Sequence, residues 1–138
     1  MANKQVNLVL LVDDNETDNF ISKRIIELTK FSPRIVVKNS GKSALEHLQQ
    51  VQNQPEELPD VIFLDINMPI VDGFVFLSDF ESLANSIKDK AKIVVLSSSN
   101  NKRDIGRIVE SEHVIKFITK PLTEKSLSEI KQILAEDN

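Results

Sequence analysis

The sequence contains no cysteine. Disulfide cross-links, thiol nucleophiles and Cys-based zinc sites are thereby excluded, and folding does not depend on the redox state of a compartment. Long apolar stretches are also missing: no run approaches the roughly 20 residues that a membrane-spanning helix needs. The first residues, Met1-Ala2-Asn3-Lys4-Gln5, carry neither an apolar h-region nor a small-residue cleavage site, so no secretory leader is expected. No block of like charge stands out. With 17 basic and 21 acidic residues the formal net charge is −4, which argues against a basic face for gripping DNA or RNA. There is no internal repeat with a period of roughly 20–50 residues and no low-complexity tract. These absences lead to the expectation of a soluble, cytoplasmic protein with no nucleic-acid or membrane partner.

What is present is a regular alternation. The 138 residues suit one compact domain with its core in about 6–135. Val6–Val12, Arg34–Lys38, Pro59–Asp65, Lys92–Leu96 and Val114–Thr119 are short, mostly apolar runs rich in β-branched residues. They read as strands, those nearest apolar throughout being buried on both faces. Between and after them lie segments with helical spacing, at about 16–30, 41–52, 74–86, 102–111 and Thr123–Ala135. In the first, Phe20, Ile21, Ile25 and Leu28 form the stripe expected to face the core. Phe31-Ser32-Pro33 is expected to end that helix, and Ser40 to cap the second, with Gly41 easing the turn. Five β-then-α units imply an α/β fold, a doubly wound (βα)5 domain with a five-stranded parallel sheet.

The chemistry-bearing residues fall at one place in this pattern. Asp13 and Asp14 follow strand 1, Asp65 ends strand 3, Ser97 follows strand 4 and Lys120 follows strand 5. In an open parallel sheet all of these carboxyl ends share one edge, and ligands bind there, where the strand order reverses. Asp13, Asp14 and Asp65 would then crowd together. Three carboxylates at close range repel unless a cation neutralises them. A hard divalent ion such as Mg²⁺ does so, keeping several positions for water and substrate oxygens. Lys120 supplies a mobile point charge and Ser97 a hydroxyl donor. A carboxylate can accept a phosphoryl group covalently, and phosphoryl transfer asks chiefly for positioning and charge neutralisation.

The fragments Val12-Asp13-Asp14, Asp65-Ile66-Asn67-Met68-Pro69, Asp72-Gly73, Leu96-Ser97-Ser98 and Lys120-Pro121, each at its place in the βα order, resemble those of response-regulator receiver domains. The resemblance covers nearly the whole chain. It implies the flavodoxin-like receiver fold with strand order 2-1-3-4-5, and a phosphoacceptor at Asp65. It implies Mg²⁺ held by Asp14 and Asp65, by Asp13 through water and by the backbone carbonyl of Asn67. Ser97 would sense the phosphoryl group, Lys120 would pair with Asp65 or with that group, and the Lys120-Pro121 bond is often cis in the family. Phe117 stands where the family has its switch aromatic; being Phe, it brings no ring hydroxyl. The phosphoryl donor would be a phosphohistidine of a histidine kinase or phosphotransfer protein, and the chain would catalyse its own phosphorylation and dephosphorylation. No output domain is expected after the last helix, and output through a downstream partner protein is expected. Ser111-Glu112-His113 departs from the Gly-Ala pair common before strand 5, and the stretch between Ser97 and Lys120 is about a residue longer than common.

Other readings stand beside these. Asp13 and Asp14 could cap the first helix, Phe117 could be a core aromatic, and His47 and His113 read as an outer-face and a loop residue without a second ligand. Ser40-Gly41-Lys42-Ser43 suggests a P-loop, but Val36 stands where that motif needs glycine. Asp65-Ile66-Asn67 suggests a phosphatase of the haloacid-dehalogenase type, but Asn67 cannot serve as its general acid. At the level of function, a phosphate sink and a non-switching interaction module with the same fold remain as alternatives to a phosphorylation switch.

Overall fold

In the computed structural model of the protein, residues 6–65, 70–97 and 113–136 are described, apart from the side chains of 70–74. The order is β1 (Leu8–Val12), α1 (Glu16–Leu28), β2 (Arg34–Lys38), α2 (Gly41–Gln50), a 3-10 turn (Pro55–Glu57), β3 (Val61–Asp65), α3 (Ile70–Phe80), α4 (Asn85–Lys90), β4 (Lys92–Ser97), β5 (Val114–Thr119) and α5 (Glu124–Glu136). The strands form one parallel sheet in the order β2-β1-β3-β4-β5, as the sequence leads one to expect. Every residue of β1 and β3 is buried. A strand covered on both faces has no solvent side, which is why these runs do not alternate.

The two faces carry separate cores. Leu10, Val12, Ile62, Leu64, Ile93 and Val95 pack with Leu48 of α2, Phe76 and Phe80 of α3 and Ile87 of α4. Val9, Leu11, Val61, Phe63, Val94 and Leu96 pack with Ile26 of α1 and with Leu127, Ile130 and Leu134 of α5. The last three, three and four residues apart as a helical period requires, hold the inward face of α5.

The inward face of α1 differs from the expected stripe. Its buried residues are Asn19, Ser22 and Ile26, whereas Phe20 is 70% and Leu28 63% exposed, Ile21 is also exposed and Ile25 only partly buried. The helix rotation is set by polar bonds at its start. Asn15 caps it by accepting the Asp18 N–H at 2.9 Å, and the Asn19 amide donates to the Asp13 carbonyl at 2.8 Å. At its other end Thr29 is the cap residue, Lys30 takes a left-handed φ of 56°, and the N–H groups of Lys30 and Phe31 reach Glu27 and Ile26. This is a Schellman closure with lysine where glycine is usual, and Phe31 packs in the same core as Ile26.

The helix expected over 74–86 is two helices. The N–H groups of Ser82 and Leu83 bond three residues back, to Asp79 and Phe80, which tightens and ends α3. Leu83 and Ile87 are both buried, so the apolar i, i+4 spacing runs on across the break and conceals it. Ser40 caps α2, its hydroxyl accepting the Ser43 N–H at 3.0 Å. Gly41 is a buried helical residue without positive φ, so the turn makes no use of its conformational freedom. The helix expected at 102–111 lies outside the described residues.

Across their paired stretch β5 uses one residue more than β4. Ile93 pairs with Val114 but Val94 pairs with Lys116, leaving Ile115 as a bulge. Ile115 and Lys116, though consecutive, both lie on the α5 side: Ile115 packs on that core and Lys116 pairs with Glu129 of α5 at 3.3 Å. Val114 and Phe117, three apart, share the opposite face.

At the amino edge of the sheet, Asp60 is 5% exposed. Its carboxylate accepts the N–H groups of Asn7 and Leu8 at 2.8 and 3.3 Å, its own N–H donates to Leu8 and its carbonyl accepts from Lys92. Asp60 thus ties β1, β3 and β4 together. Asp60→Ala is expected to lower unfolding stability by about 1–3 kcal/mol, because it strands buried donors. Lys30→Gly is expected to raise it by up to about 1 kcal/mol, by removing the Cβ clash of the left-handed position. Urea denaturation of the two variants checks both signs.

Candidate functional site

The parallel register brings the carboxyl ends of β1, β3, β4 and β5 to one edge. Asp65 is the last residue of β3, paired with Leu96, and is 2% exposed. Asp13 directly follows β1, where its N–H donates to the Lys38 carbonyl. It is 3% exposed, and Asp14 beside it is exposed. Lys120 directly follows β5, and its N–H donates to the carbonyl of Ser97 at 2.8 Å. The Lys120-Pro121 bond is cis. Strand pairing therefore carries these residues to one place from positions more than 100 apart in sequence.

Carboxylate oxygens of Asp13, Asp14 and Asp65 all lie within 4.8 Å of one another. The Lys120 ammonium reaches Asp18 at 2.8 Å, Asp13 at 2.9 Å and Asp65 at 3.2 Å. Burial alone would depress the lysine's pKa, but the bonds to Asp18 and Asp13 and the charges of Asp65 and Asp13 outweigh it. Together they hold Lys120 well above the ordinary lysine range, so it is charged at any neutral pH. The other oxygen of Asp13 accepts the Asn15 N–H at 2.9 Å. The helix cap itself is Asn15, not Asp13 or Asp14.

Of the remaining residues singled out in the sequence, Ser97 closes β4, half-buried and in register with Thr119. Phe117 is half-buried against the core under α2, α3 and α4. Asn67 lies outside the described residues. His47 is partly buried, and its pKa is lowered by that burial and by nearby Lys38. His113 packs edge-on to Phe80 and lies 3.2 Å from Glu81. Neither histidine joins the acidic group, the one metal-capable cluster among the described residues. Two participants were not read from the sequence: Asp18, on Lys120, and Asn19, on the Asp13 carbonyl. A signal for Asp18 existed in its place on the first turn of the helix that leaves the Asp13-Asp14 strand end.

An oxygen-only donor set suits a hard divalent cation. An octahedral Mg²⁺ has oxygens at about 2.0–2.1 Å and so spans about 4 Å from ligand to opposite ligand. Carboxylates already within 4.8 Å of one another need small side-chain adjustments to meet that spacing.

Comparison with known proteins agrees with this geometry. The family model for the response regulator receiver domain matches residues 9–132. A probable methanogenesis regulatory protein, FilR2 of Methanothrix harundinacea, is 32% identical over 130 residues, covering 91% of this chain and 81% of that protein. A two-component response regulator from Cytophaga hutchinsonii superposes with a TM-score of 0.84 at 30% identity, over 95% of this chain and 98% of that one. The phosphorylated cyanobacterial phytochrome response regulator RcpA gives a TM-score of 0.69 at 29% identity, over 95% and 90% of the two chains. No helix among the described residues is long and apolar enough to cross a membrane.

The charge balance of the site gives a test by sign. In metal-free buffer, Asp14→Asn is expected to stabilise the fold by up to about 1 kcal/mol, since it removes one of three mutually repelling carboxylates. Lys120→Met is expected to destabilise it by about 3–5 kcal/mol, since it leaves two buried carboxylates without their counter-charge. Thermal melts in a chelator read both.

Proposed function

The chain belongs to the response regulator receiver domain family, and from that premise we propose that it acts as a phosphorylation switch with Asp65 as acceptor. One observation carries this reading: a buried carboxylate at a strand end lies 3.2 Å from the Lys120 ammonium and within 4.8 Å of two further carboxylates. That combination supplies a nucleophile, a counter-charge for an incoming phosphoryl oxygen and a donor set for a cation.

In the proposed reaction an Asp65 carboxylate oxygen attacks the phosphorus of a phosphohistidine on a histidine kinase or phosphotransfer protein, partners with which this family works. A P–O bond forms and the P–N bond breaks, its electron pair staying on the imidazole nitrogen. Attack of water on the acyl phosphate later returns the carboxylate and releases inorganic phosphate. Lys120 donates an N–H to a phosphoryl oxygen and offsets its charge. Asp13, Asp14 and Asp65, with the main-chain carbonyl of Asn67, would hold Mg²⁺. When bound, the ion supplies charge neutralisation that lets a carboxylate meet an anionic donor. Ser97, at the end of β4, would donate its hydroxyl to the phosphoryl group. Its movement, together with Phe117 on the half-buried face of β5, would bias a two-state surface read by a downstream protein. We place this activity in the cytoplasm, with the 138 residues acting as one receiver unit.

Incubation with Mg²⁺ and acetyl phosphate, followed by intact-mass measurement, tests the reading. The expected outcome is a phosphate-sized gain in the wild type that is lost in Asp65→Asn and in excess chelator. A gain that survives in Asp65→Asn would move the acceptor elsewhere. No gain together with no Mg²⁺ binding would favour a non-switching interaction module.

A further inference from the structure

Lys120 is surrounded by more carboxylates than the proposed chemistry uses. An ammonium has three N–H groups, and Asp18, Asp13 and Asp65 stand at 2.8, 2.9 and 3.2 Å from this one. In the function proposed above, Asp65 is the acceptor and Asp13 belongs to the cation-binding group, so each has a task besides the lysine. Asp18 lies outside that group, and Lys120 is the single side-chain partner of its carboxylate among the described residues. Its backbone is held in place: the Asn15 side chain accepts its N–H at 2.9 Å, and Asn19, the next residue, is tied to the Asp13 carbonyl at 2.8 Å. The carboxylate is thus presented to Lys120 from a helix start that is anchored to the end of β1.

We propose that Asp18 is a positioning residue for Lys120, which holds the ammonium in the unphosphorylated domain and competes for it with a phosphoryl group on Asp65. The inference rests on the phosphoacceptor reading of Asp65. On phosphorylation Asp65 ceases to be a carboxylate anion, and an ammonium that follows the phosphoryl oxygens must loosen its hydrogen bonds to Asp13 or Asp18. The Asp18 side chain is 36% exposed, against 4% and 2% for those of Asp13 and Asp65. Water can take over the solvation of Asp18 on release, whereas the buried Asp13 would depend on the cation alone to offset its charge. Asp18 is therefore the carboxylate that yields. Its pairing counts towards the unphosphorylated state only, and a contact made in one of two states sets their balance.

The experiment is a titration of the protein with beryllofluoride, a phosphoryl-mimicking anion, in Mg²⁺, read by ¹⁹F NMR. Asp18→Asn is expected to tighten binding by about two- to tenfold, the weight of a partly exposed charge-assisted bond. Asp18→Glu should return towards the wild-type value. Glu16→Gln removes the same charge from the same exposed turn, at a residue without an ion pair to Lys120, and should change affinity less. The Asp18→Asn effect should vanish in a Lys120→Met background. Unchanged or weaker binding in Asp18→Asn, with its melting cooperative, overturns the proposal. So does equal tightening by Glu16→Gln, or an effect that persists without Lys120, since either outcome means simple repulsion of the anion. If Lys120→Met binds too weakly to titrate, the Glu16→Gln comparison decides. A wild type that binds no beryllofluoride in Mg²⁺ overturns the phosphoacceptor reading and this one with it. Wild-type binding that Asp18→Asn leaves unaltered removes the role of Asp18 alone.

Discussion

The site depends on one ammonium set among four carboxylates. Asp13, Asp14 and Asp65 converge because two neighbouring parallel strands, β1 and β3, end at the same edge, and Asp18 joins them from the first turn of α1. Two of these groups are almost fully buried, where an unpaired charge is most unfavourable. Lys120 meets three of the four within 3.2 Å. It arrives from the far end of the chain, directly after β5, so the charge pairing also closes the sheet edge: β1, β3 and β5 are joined at their carboxyl ends through a single nitrogen. The arrangement is compensated without being neutral. The remaining negative charge favours a cation there.

The two edges of the sheet divide their labour. At the amino edge Asp60 binds the backbone of three strands and its carboxylate accepts two main-chain N–H groups. At the carboxyl edge Asp13 and Asp65 share the Lys120 ammonium, and the other Asp13 oxygen takes the Asn15 N–H. One aspartate is buried for stability; the others are buried in spite of it. Stored repulsion of this kind is usual where a site must respond to a ligand.

Most of this was legible in the sequence, and for a definite reason. Strands covered on both faces appear as unbroken apolar runs, and the polar residue that stops each run marks the functional edge. Asp13, Asp65, Ser97 and Lys120 could be placed by that rule alone. The rule failed where polar bonds override hydrophobic spacing. In α1 the inward face holds Asn19 and Ser22 because the helix start is bonded to the strand end, so Phe20 and Leu28 turn to solvent. Between α3 and α4 the apolar spacing of Leu83 and Ile87 continues through a backbone break that three-residue hydrogen bonds create. Asp18 escaped notice for a related reason: an acidic residue in a first helical turn has an ordinary explanation in the helix dipole, and its partner is 102 residues away.

The bulge at Ile115 acts as a length buffer. Val114 stays paired with Ile93, and Lys116 through Thr119 stay paired with Val94 through Ser97, so the surplus residue is absorbed at the entry of the strand and nothing downstream is displaced. The chain between β4 and β5 can therefore gain or lose a residue while Lys120 keeps its station over the acidic cluster. The entry of β5 is in this way uncoupled from the acidic cluster at the strand's other end.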